Sequence, residues 1–386
     1  RDRVSTDPEN GYNFSEGASL SEALIIAERV GRHGMQEKTT FINIIKKPRT
    51  LLEGVMFAEE IKRAIKEGRM IISSKDGPQC IIYEINRSTL LRYIDNWNRF
   101  VAIPDPTLSK YVLELLEKGD ISLGDICIKV PLIRLERLLK TIYLERKRGK
   151  KSIKVPVKSI GIDAHQFYEL YTKVAKSPYQ VLWGTEEKYR LTMRIRPNAY
   201  VAPRSRNIED KAINTFNAYA GRILVPGVNV RWNTSHIIAL YCNEKILSNT
   251  HYAINLNVDK SMEEYAEKAL VLWFNTTWGL LSILINREET EGPWAQIKMG
   301  QWMLMPVLDV ISLDANTIKC LANIFDRYAN RPLRRIPEQF NPKNPDPVRL
   351  AIDMEFLKAL NTTLKDEAIK KNLLELYKHV DVSLKI

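Results

Sequence analysis

An apolar run in the second half of the chain restricts the possible folds more than any other feature. Residues 269–285 read ALVLWFNTTWGLLSILI and include no charged side chain. A membrane-spanning helix needs about 20 apolar residues, whereas this run has 17 and carries Asn275, Thr276 and Thr277 at its centre. A helix that is apolar on every side is usually buried in the core of a large protein. The run therefore predicts a core helix over about 262–286 in a chain of 386 residues, long enough for two or three domains.

Positive charge is concentrated in one block of the sequence. Residues 130–236 contain 21 Lys and Arg but 8 Asp and Glu, a net charge of +13. The whole chain carries +12, so everything outside this block sums to −1. A diffuse basic excess would indicate little, whereas this concentration indicates one electropositive region that binds a polyanion.

Two groups of cations within this block are candidates for nucleic-acid contact. The first group comprises Arg146, Lys147, Arg148, Lys150, Lys151 and Lys154. Gly149 interrupts it, which predicts a loop or turn after a helix that ends near Glu145. The second group comprises Arg190, Arg194, Arg196, Arg204 and Arg206, with Tyr189 and Tyr200 as aromatic neighbours and Arg231 as a further candidate. Apolar and polar side chains alternate over residues 191–196, which predicts a strand with one apolar and one basic face.

DNA is the polyanion that these residues favour. The first group would hold phosphates, while Tyr200 could stack on a base or a sugar. The candidates for base reading are Arg194, Arg196, Arg204, Arg206, Asn198 and Asn207. Arg hydrogen-bonds guanine and Asn hydrogen-bonds adenine in the major groove, which is the reason for this choice. The alternative interpretation is a solvated basic surface, because most charge runs are solvated.

The remaining pattern predicts both helices and strands. Strands are expected at 20–29, 39–45, 221–226, 237–242 and 253–258, with Gly31 and Gly34 in the turn after the first. Helices are expected at 50–66, over most of 90–146, at 313–329 and from 348 onward. Thr50 and Glu53 form a possible capping box, and Asp314 is a possible helix cap. Five prolines between 332 and 347 predict an extended connection.

The sequence lacks the usual motifs of a reaction centre. It contains no G-x-G, P-loop, H-E-x-x-H or G-x-S-x-G sequence, and its five histidines show no metal-ligand spacing. Its four cysteines are too far apart for a zinc ribbon or a redox pair. Reduced thiols are typical of a cytoplasmic protein. The chain begins with Arg1 instead of Met, which suggests a piece of a longer protein.

Three stretches carry motifs of one protein family. Residues 13–44 form the first, and residues 313–360, with the sequence D-P-V-R at 346–349 and Asp353, form the last. The middle stretch, residues 267–310, is the most specific and is marked by Asn275, Gly279, Arg287, Glu289, Thr290, Gly292, Trp294, Ile297 and Lys298. In chain order, the stretches resemble the last strands of the catalytic domain, the end of the target-recognition region and the helical tail of large N-6 adenine DNA methyltransferases from restriction-modification and phage-defence systems.

This resemblance implies the C-terminal part of such an enzyme. The family holds S-adenosylmethionine with a glycine loop and stacks a flipped adenine on the aromatic residue of an Asn/Asp-Pro-Pro-aromatic motif. Neither motif is present in this sequence. The resemblance therefore implies no cofactor in this chain, which should not transfer methyl groups alone, and S-adenosylmethionine in the full enzyme. The implied partners are double-stranded DNA and a catalytic methyltransferase portion, in the same polypeptide or in a separate subunit.

Residues 287–298 have two interpretations. Arg287 or Lys298 could contact phosphate near the recognition groove. Alternatively, Gly292 and Pro293 could form a turn in which Trp294 packs as an anchor, and this turn chemistry favours the structural interpretation.

Together these inferences predict a multidomain α+β protein. Residues 1–75 would supply the last strands of a doubly wound methyltransferase sheet, 76–150 a mainly helical connector, 151–310 a mixed α/β target-recognition domain that binds DNA, and 311–386 a helical tail. The predicted function is the DNA-recognition portion of an adenine methyltransferase in the cytoplasm, with no membrane contact. The alternatives are a non-enzymatic scaffold that binds DNA, RNA or protein, and a nuclease.

Overall fold

The computed structural model describes residues 37–384 apart from 45–47, 75–76, 93–96, 101–102, 104, 149–150, 162–167, 172–178, 185–189, 206–208, 228, 232, 290–293 and 362. Helices and several small sheets make up this part of the chain, which confirms the predicted mixed α+β class. The strand expected at 20–29 and the turn at Gly31 and Gly34 lie outside the described residues.

A helix packed on a small sheet opens the described chain. Its elements are β1 (Lys38–Ile44), α1 (Leu51–Lys66), β2 (Ile71–Ser74) and β3 (Gly77–Asn86), with the antiparallel strand order β1-β3-β2. Helix α1 begins as predicted, because the Thr50 hydroxyl accepts a hydrogen bond from the Glu53 amide at 3.2 Å. The Glu53 carboxylate accepts from the Arg49 amide at 2.7 Å, one residue before the position that a capping box would use. Phe57 and Ala64 bury this helix against the sheet.

The segment after β3 is only partly helical. It contains α2 (Arg87–Arg92), a 3-10 turn (Trp97–Phe100), α3 (Pro106–Lys118), β4 (Asp120–Leu123), β5 (Ile126–Lys129), β6 (Leu132–Arg134), α4 (Leu135–Leu138), β7 (Thr141–Arg148) and β8 (Lys151–Lys158). The prediction that 90–146 is mainly helical is therefore wrong beyond α3. Gly119 ends α3 with a left-handed φ of 69°, and Gly124, with φ 60°, turns β4 into β5. The following side chains are alternately buried and exposed, as in strands.

A mixed sheet forms the centre of the molecule. Its elements are β9 (Tyr168–Tyr171), β10 (Tyr179–Leu182), β11 (Arg194–Ile195), β12 (Ala199–Pro203), α5 (Glu209–Tyr219), β13 (Gly221–Pro226), β14 (Asn229–Arg231), β15 (Leu240–Ser248) and β16 (His251–Ile254). The strand order is β16-β13-β15-β10-β12-β9, and β11 pairs with β15. The strand predicted at 221–226 is confirmed as β13. The strands predicted at 237–242 and 253–258 are displaced to β15 and β16.

The apolar run forms two helices instead of one. These are α6 (Glu263–Phe274) and α7 (Thr277–Asn286), whose axes meet at 69°. The Thr276 hydroxyl accepts from the Gly279 amide at 3.2 Å and so starts a new helix at the polar centre of the run. Every residue of α7 is buried, which confirms the predicted core position. No single helix in the described part of the chain is long and apolar enough to cross a membrane; only α6 and α7 taken together reach that length and composition.

Short strands and a helical tail complete the chain. They are β17 (Glu288–Glu289), β18 (Trp294–Gln296), α8 (Met299–Leu304), β19 (Pro306–Leu308), α9 (Ala315–Tyr328), α10 (Ile336–Gln339), α11 (Pro347–Leu360) and α12 (Asp366–Leu384). Asp314 caps α9 as predicted, since its carboxylate accepts from the amides of Asn316 and Thr317. The proline-rich connection contains the one-turn helix α10 and is not fully extended. One large apolar cluster joins α3, the central sheet, α6, α7 and the tail helices.

Candidate nucleic-acid interface

The first group of cations lies on a two-stranded antiparallel ribbon. Strands β7 and β8 pair without interruption from Thr141 opposite Lys158 to Arg148 opposite Lys151. Eight residues of strand span roughly 25 Å. The helix that was expected to end near Glu145 is absent, and a strand occupies its place. Branched apolar residues on both sides of Gly149 favour a hairpin here, while Gly149 itself lies between the two strands.

The base of the ribbon is anchored to the core through one face. Ile142 and Leu144 are half-buried against a small apolar cluster formed by β9, β10, β12 and α5. Val155 and Val157, which pair with Leu144 and Ile142, are half-buried as well. Ile153 continues the same face but is 40% exposed, so the ribbon leaves the core between Val155 and Ile153.

The part of the ribbon next to the core has a second face, which is open to solvent. Thr141, Tyr143, Lys154 and Pro156 are all exposed on it, and Tyr143 retains 67% of its accessible surface. The exposed and half-buried positions alternate along the strands, as the pleat of a sheet requires. The ribbon therefore has an anchored face and a free face.

Most of the charge of the ribbon lies away from its attachment. Residues 141–158 contain seven Lys and Arg and one acidic residue, Glu145, a net charge of +6. Four of these cations occupy the distal pairs, namely Arg146, Lys147, Arg148 and Lys151. Gly149 and Lys150 lie outside the described residues.

The second group of cations does not form a basic strand face. Only Arg194 and Ile195 of the predicted strand at 191–196 are in a strand, β11. The Arg194 guanidinium is ion-paired with Asp326 of α9 and lies 5.4 Å from the ring centroid of Phe325. The Asp326 carboxylate also accepts from Lys268 of α6 at 2.9 Å. Arg194 therefore links the central sheet to two helices, and the expectation of a free basic face is wrong at this residue.

The other candidates of this group are dispersed. Arg196 is exposed, and Arg190 is half-buried. The Nε of Arg204 donates to the Tyr168 carbonyl at 3.0 Å. Tyr200 is half-buried in β12 and pairs with residues of β9 and β10. Arg206 lies outside the described residues, and Arg231 pairs with Trp294 between β14 and β18.

One residue expected to read bases is already engaged. The Asn198 side-chain oxygen accepts from the Trp183 amide at 2.7 Å. Its side-chain nitrogen donates to the Trp183 carbonyl at 2.8 Å. Both polar atoms of Asn198 thus hold the backbone beside β10. Asn207, its partner in the prediction, lies outside the described residues.

Several residues that carry the family resemblance meet in a buried polar network. The Asn275 side chain accepts from the Ile238 amide at 2.9 Å and donates to the carbonyls of Ala239 and Val271 at 2.8 and 2.9 Å. The Asn275 carbonyl accepts from the guanidinium of Arg349 in α11. Sequence reasoning marked both residues but did not predict that they touch.

The buried carboxylate of Asp353 completes this network. Asp353 of α11 accepts from the Thr277 amide at 2.9 Å and from the Tyr377 hydroxyl of α12 at 2.7 Å. The Thr277 hydroxyl donates to the same carboxylate. Burial raises the pKa of Asp353, and the nearby Arg349 charge opposes that rise. The network therefore joins the α6–α7 bend to the helical tail.

The remaining family-motif residues surround a small sheet. Arg287 is half-buried just after α7. Glu289 in β17 pairs with Ala295 of β18, next to Trp294, and Gly292 between these strands lies outside the described residues. Lys298 is exposed at the start of α8. Among the described residues, no group of three His, Cys, Asp or Glu side chains could hold a metal ion.

Comparisons with known proteins include a distant structural similarity. No protein-family model matches the chain, and no curated protein matches it. Among solved structures, the chain is similar to the type IIG restriction endonuclease BpuSI, with 9% sequence identity and a TM-score of 0.42. The similarity covers 91% of this chain and 41% of that chain, so this chain spans less than half the length of that protein.

Proposed function

We propose that this chain binds double-stranded DNA through the β7–β8 ribbon, as the target-recognition portion of an N-6 adenine DNA methyltransferase. The observation that carries the proposal is the ribbon itself, an uninterrupted strand pair whose two strands contain six cations and one acid. The resemblance in sequence supplies the methyltransferase context. Binding of S-adenosylmethionine and methyl transfer belong to a catalytic portion that provides the glycine loop and the aromatic motif.

The shape and charge of the ribbon suit a DNA groove. Duplex DNA carries one negative charge per about 1.7 Å of helix axis. A two-stranded ribbon fits the major groove, which is about 12 Å wide. The distal end carries Arg146, Lys147, Arg148, Lys150 and Lys151. These cations would hold phosphates on both sides of the groove. The apolar anchor would fix the end of the ribbon that adjoins the core.

The structure narrows the candidates for base reading. Arg194 and Asn198 hold parts of the protein together, as described above, and are removed from the candidate set. Arg196 and Arg204, which are both exposed, remain as candidates of the second group. We therefore assign DNA binding mainly to the ribbon and to a smaller extent to the second group of cations.

The salt dependence of binding tests the proposal. If six phosphates are neutralised, log K against log salt concentration should have a slope of about −5. Replacing Arg146, Lys147 and Arg148 with Ala should weaken binding to all duplex sequences alike and reduce the slope by about 3. Replacing Lys343, Lys365 and Lys370, three exposed cations of the tail, removes the same charge and should leave the slope unchanged.

The choice between DNA and RNA follows from groove geometry. The major groove of A-form RNA is deep and narrow, so a ribbon cannot enter it. Duplex DNA should therefore compete with labelled duplex DNA much better than duplex RNA does. A salt slope near zero, or equal competition by duplex RNA and heparin, would contradict DNA recognition and favour a scaffold that binds polyanions.

A further inference from the structure

Tyr143 is placed in an unusual position on the ribbon. It is the most exposed of the large aromatic side chains in the described part of the chain, with 67% of its surface accessible. Its neighbours Ile142 and Leu144 pack against the core, so the pleat of the strand directs Tyr143 to the free face. A single exposed apolar side chain is common on protein surfaces, so the ring is informative only together with the residues around it.

The residue opposite Tyr143 is also apolar. Tyr143 pairs with Pro156, which has no amide hydrogen to contribute to the ladder. Proline is therefore accommodated at a pair that makes no inter-strand hydrogen bonds, where side chains lie closest together. Tyr143 and Pro156 therefore form one small apolar patch on the free face of the ribbon.

The surroundings of Tyr143 select the kind of ligand. Lys154 is exposed on the same face, two residues from Pro156 in the direction away from the core. The cationic end of the ribbon lies beyond Lys154. The apolar part of the free face is limited to Tyr143 and Pro156, which is small for a protein interface. An aromatic ring with a cation on the same face can stack on a base while the cation contacts a flanking phosphate.

We propose that Tyr143 stacks on a nucleobase of bound DNA that has lost its pairing partner, while the cations of the ribbon hold the flanking phosphates. This inference rests on the proposed function. In a fully paired duplex, both faces of each internal base are covered by its neighbours. The ribbon should therefore prefer a duplex with one unpaired base over the same duplex when it is fully paired.

The test uses the full chain and two duplexes of one sequence, of which one carries a single unpaired 2-aminopurine. The wild type should bind this duplex about tenfold more tightly than the paired one and should quench its fluorescence. Tyr143→Phe should keep both effects. Tyr143→Leu retains apolar packing on Pro156 but lacks the aromatic face, so it should lose the preference and the quenching while its salt slope stays unchanged.

Tyr265 on α6 provides a control, because it is another exposed aromatic residue, with 37% of its surface accessible. Tyr265→Leu should behave as the wild type. Equal wild-type affinity for both duplexes, or a preference that survives in Tyr143→Leu, would overturn the stacking inference and leave DNA binding intact. Weak, salt-independent binding of both duplexes would instead overturn the proposed function.

Discussion

At the scale of single residues, the buried carboxylate of Asp353 depends on several hydrogen-bond donors at once. Three donors from Thr277 and Tyr377 converge on one carboxylate that is fully buried. Buried polar groups cost little when each finds a partner and much when one partner is lost. The network therefore makes the position of the helical tail dependent on the α6–α7 bend.

Removal of the Asp353 carboxylate should destabilise the whole molecule. Asp353→Ala leaves the Thr277 amide and the Tyr377 hydroxyl without their acceptor, and should lower the free energy of unfolding by about 3 kcal/mol or more. The control is Asp366→Ala, which removes a carboxylate that is 63% exposed and ion-paired with Lys358, and should change stability little. Urea unfolding followed by circular dichroism measures both. Equal effects of the two substitutions would show that the network contributes no stability.

Glu267 should make the stability of the folded molecule depend on pH. It lies fully buried in α6, and its carboxylate accepts from Arg222 at 3.1 Å. Burial raises the pKa of Glu267 to about 7, although the Arg222 charge opposes the rise. Because the folded-state pKa is higher than the unfolded value of 4.5, the unfolded state ionises first as the pH increases. Stability should therefore be lost between the two pKa values and change no further above the higher one.

This loss can be isolated with Glu267→Gln, whose side chain does not ionise. Relative to this variant, the wild type should lose on the order of 3 kcal/mol of unfolding free energy between pH of about 4.5 and 8. Glu264→Gln, in the same helix but 60% exposed, removes an exposed carboxylate and is the matched control. The measurement is urea unfolding of the three proteins across this pH range. A difference between wild type and Glu267→Gln that stays constant with pH would refute the assignment.

At the scale of elements, the bend between α6 and α7 depends on a close approach of two backbones. A Cβ at Gly279 would overlap the carbonyl oxygen of Trp273 and lie 2.8 Å from the Cα of Phe274. These are backbone atoms at the end of α6, and the surrounding core leaves them no room to move. A residue larger than glycine would have to open the bend.

Substitutions of two helical glycines should therefore have opposite effects. Gly279→Ala should lower the free energy of unfolding by about 2 kcal/mol or more, because it overpacks the core. Gly300→Ala in α8, where a Cβ would meet no atom within 4 Å, should raise it by about 0.5 kcal/mol through reduced backbone entropy of the unfolded chain. Thermal and urea unfolding of both variants test this, and a stabilising Gly279→Ala would contradict the close contact between α6 and α7.

The elements that could be predicted from the sequence are those with local signals. The cap at Thr50, the cap at Asp314 and the β-rich run at 221–226 all act within a few residues, and all three are confirmed. The leucine spacing between 132 and 142 is typical of a helix, but only Leu135–Leu138 forms one, between the strands β6 and β7. The two helices of the apolar run were predicted as one, since two side-chain partners of Asn275, Ile238 and Ala239, lie just before β15 and more than 30 residues away in sequence.

At the scale of the whole molecule, the concentration of charge could be predicted, but its distribution in space could not. Counting residues located the basic block and the six cations near Gly149. The pairing of Arg194 with Asp326, which is 132 residues away, depends on how the central sheet meets α9, and no local pattern contains that information. The sequence therefore predicted where the basic residues are concentrated, but it did not predict which of them would share one surface element.

The position of the charge should matter more than its total. Replacing residues 145–154 with Asn-Gly keeps Leu144 and Val155 paired and joins them by a tight two-residue turn. This change removes six cations and one acid and lowers the net charge from +12 to +7. The apolar anchor at Ile142, Leu144, Val155 and Val157 remains, so the unfolding temperature should stay close to that of the wild type.

The matched control removes the same charge from other surfaces. It replaces five exposed lysines with Ala, namely Lys110, Lys343, Lys365, Lys370 and Lys371, and also has a net charge of +7. The shortened ribbon should lose duplex affinity and reduce the salt slope by about 4, whereas the control should keep the wild-type slope because its phosphate contacts are intact. Fluorescence anisotropy over a range of salt concentrations measures both proteins. If the two lose affinity equally, DNA responds to the net charge of the molecule, and the ribbon has no special role.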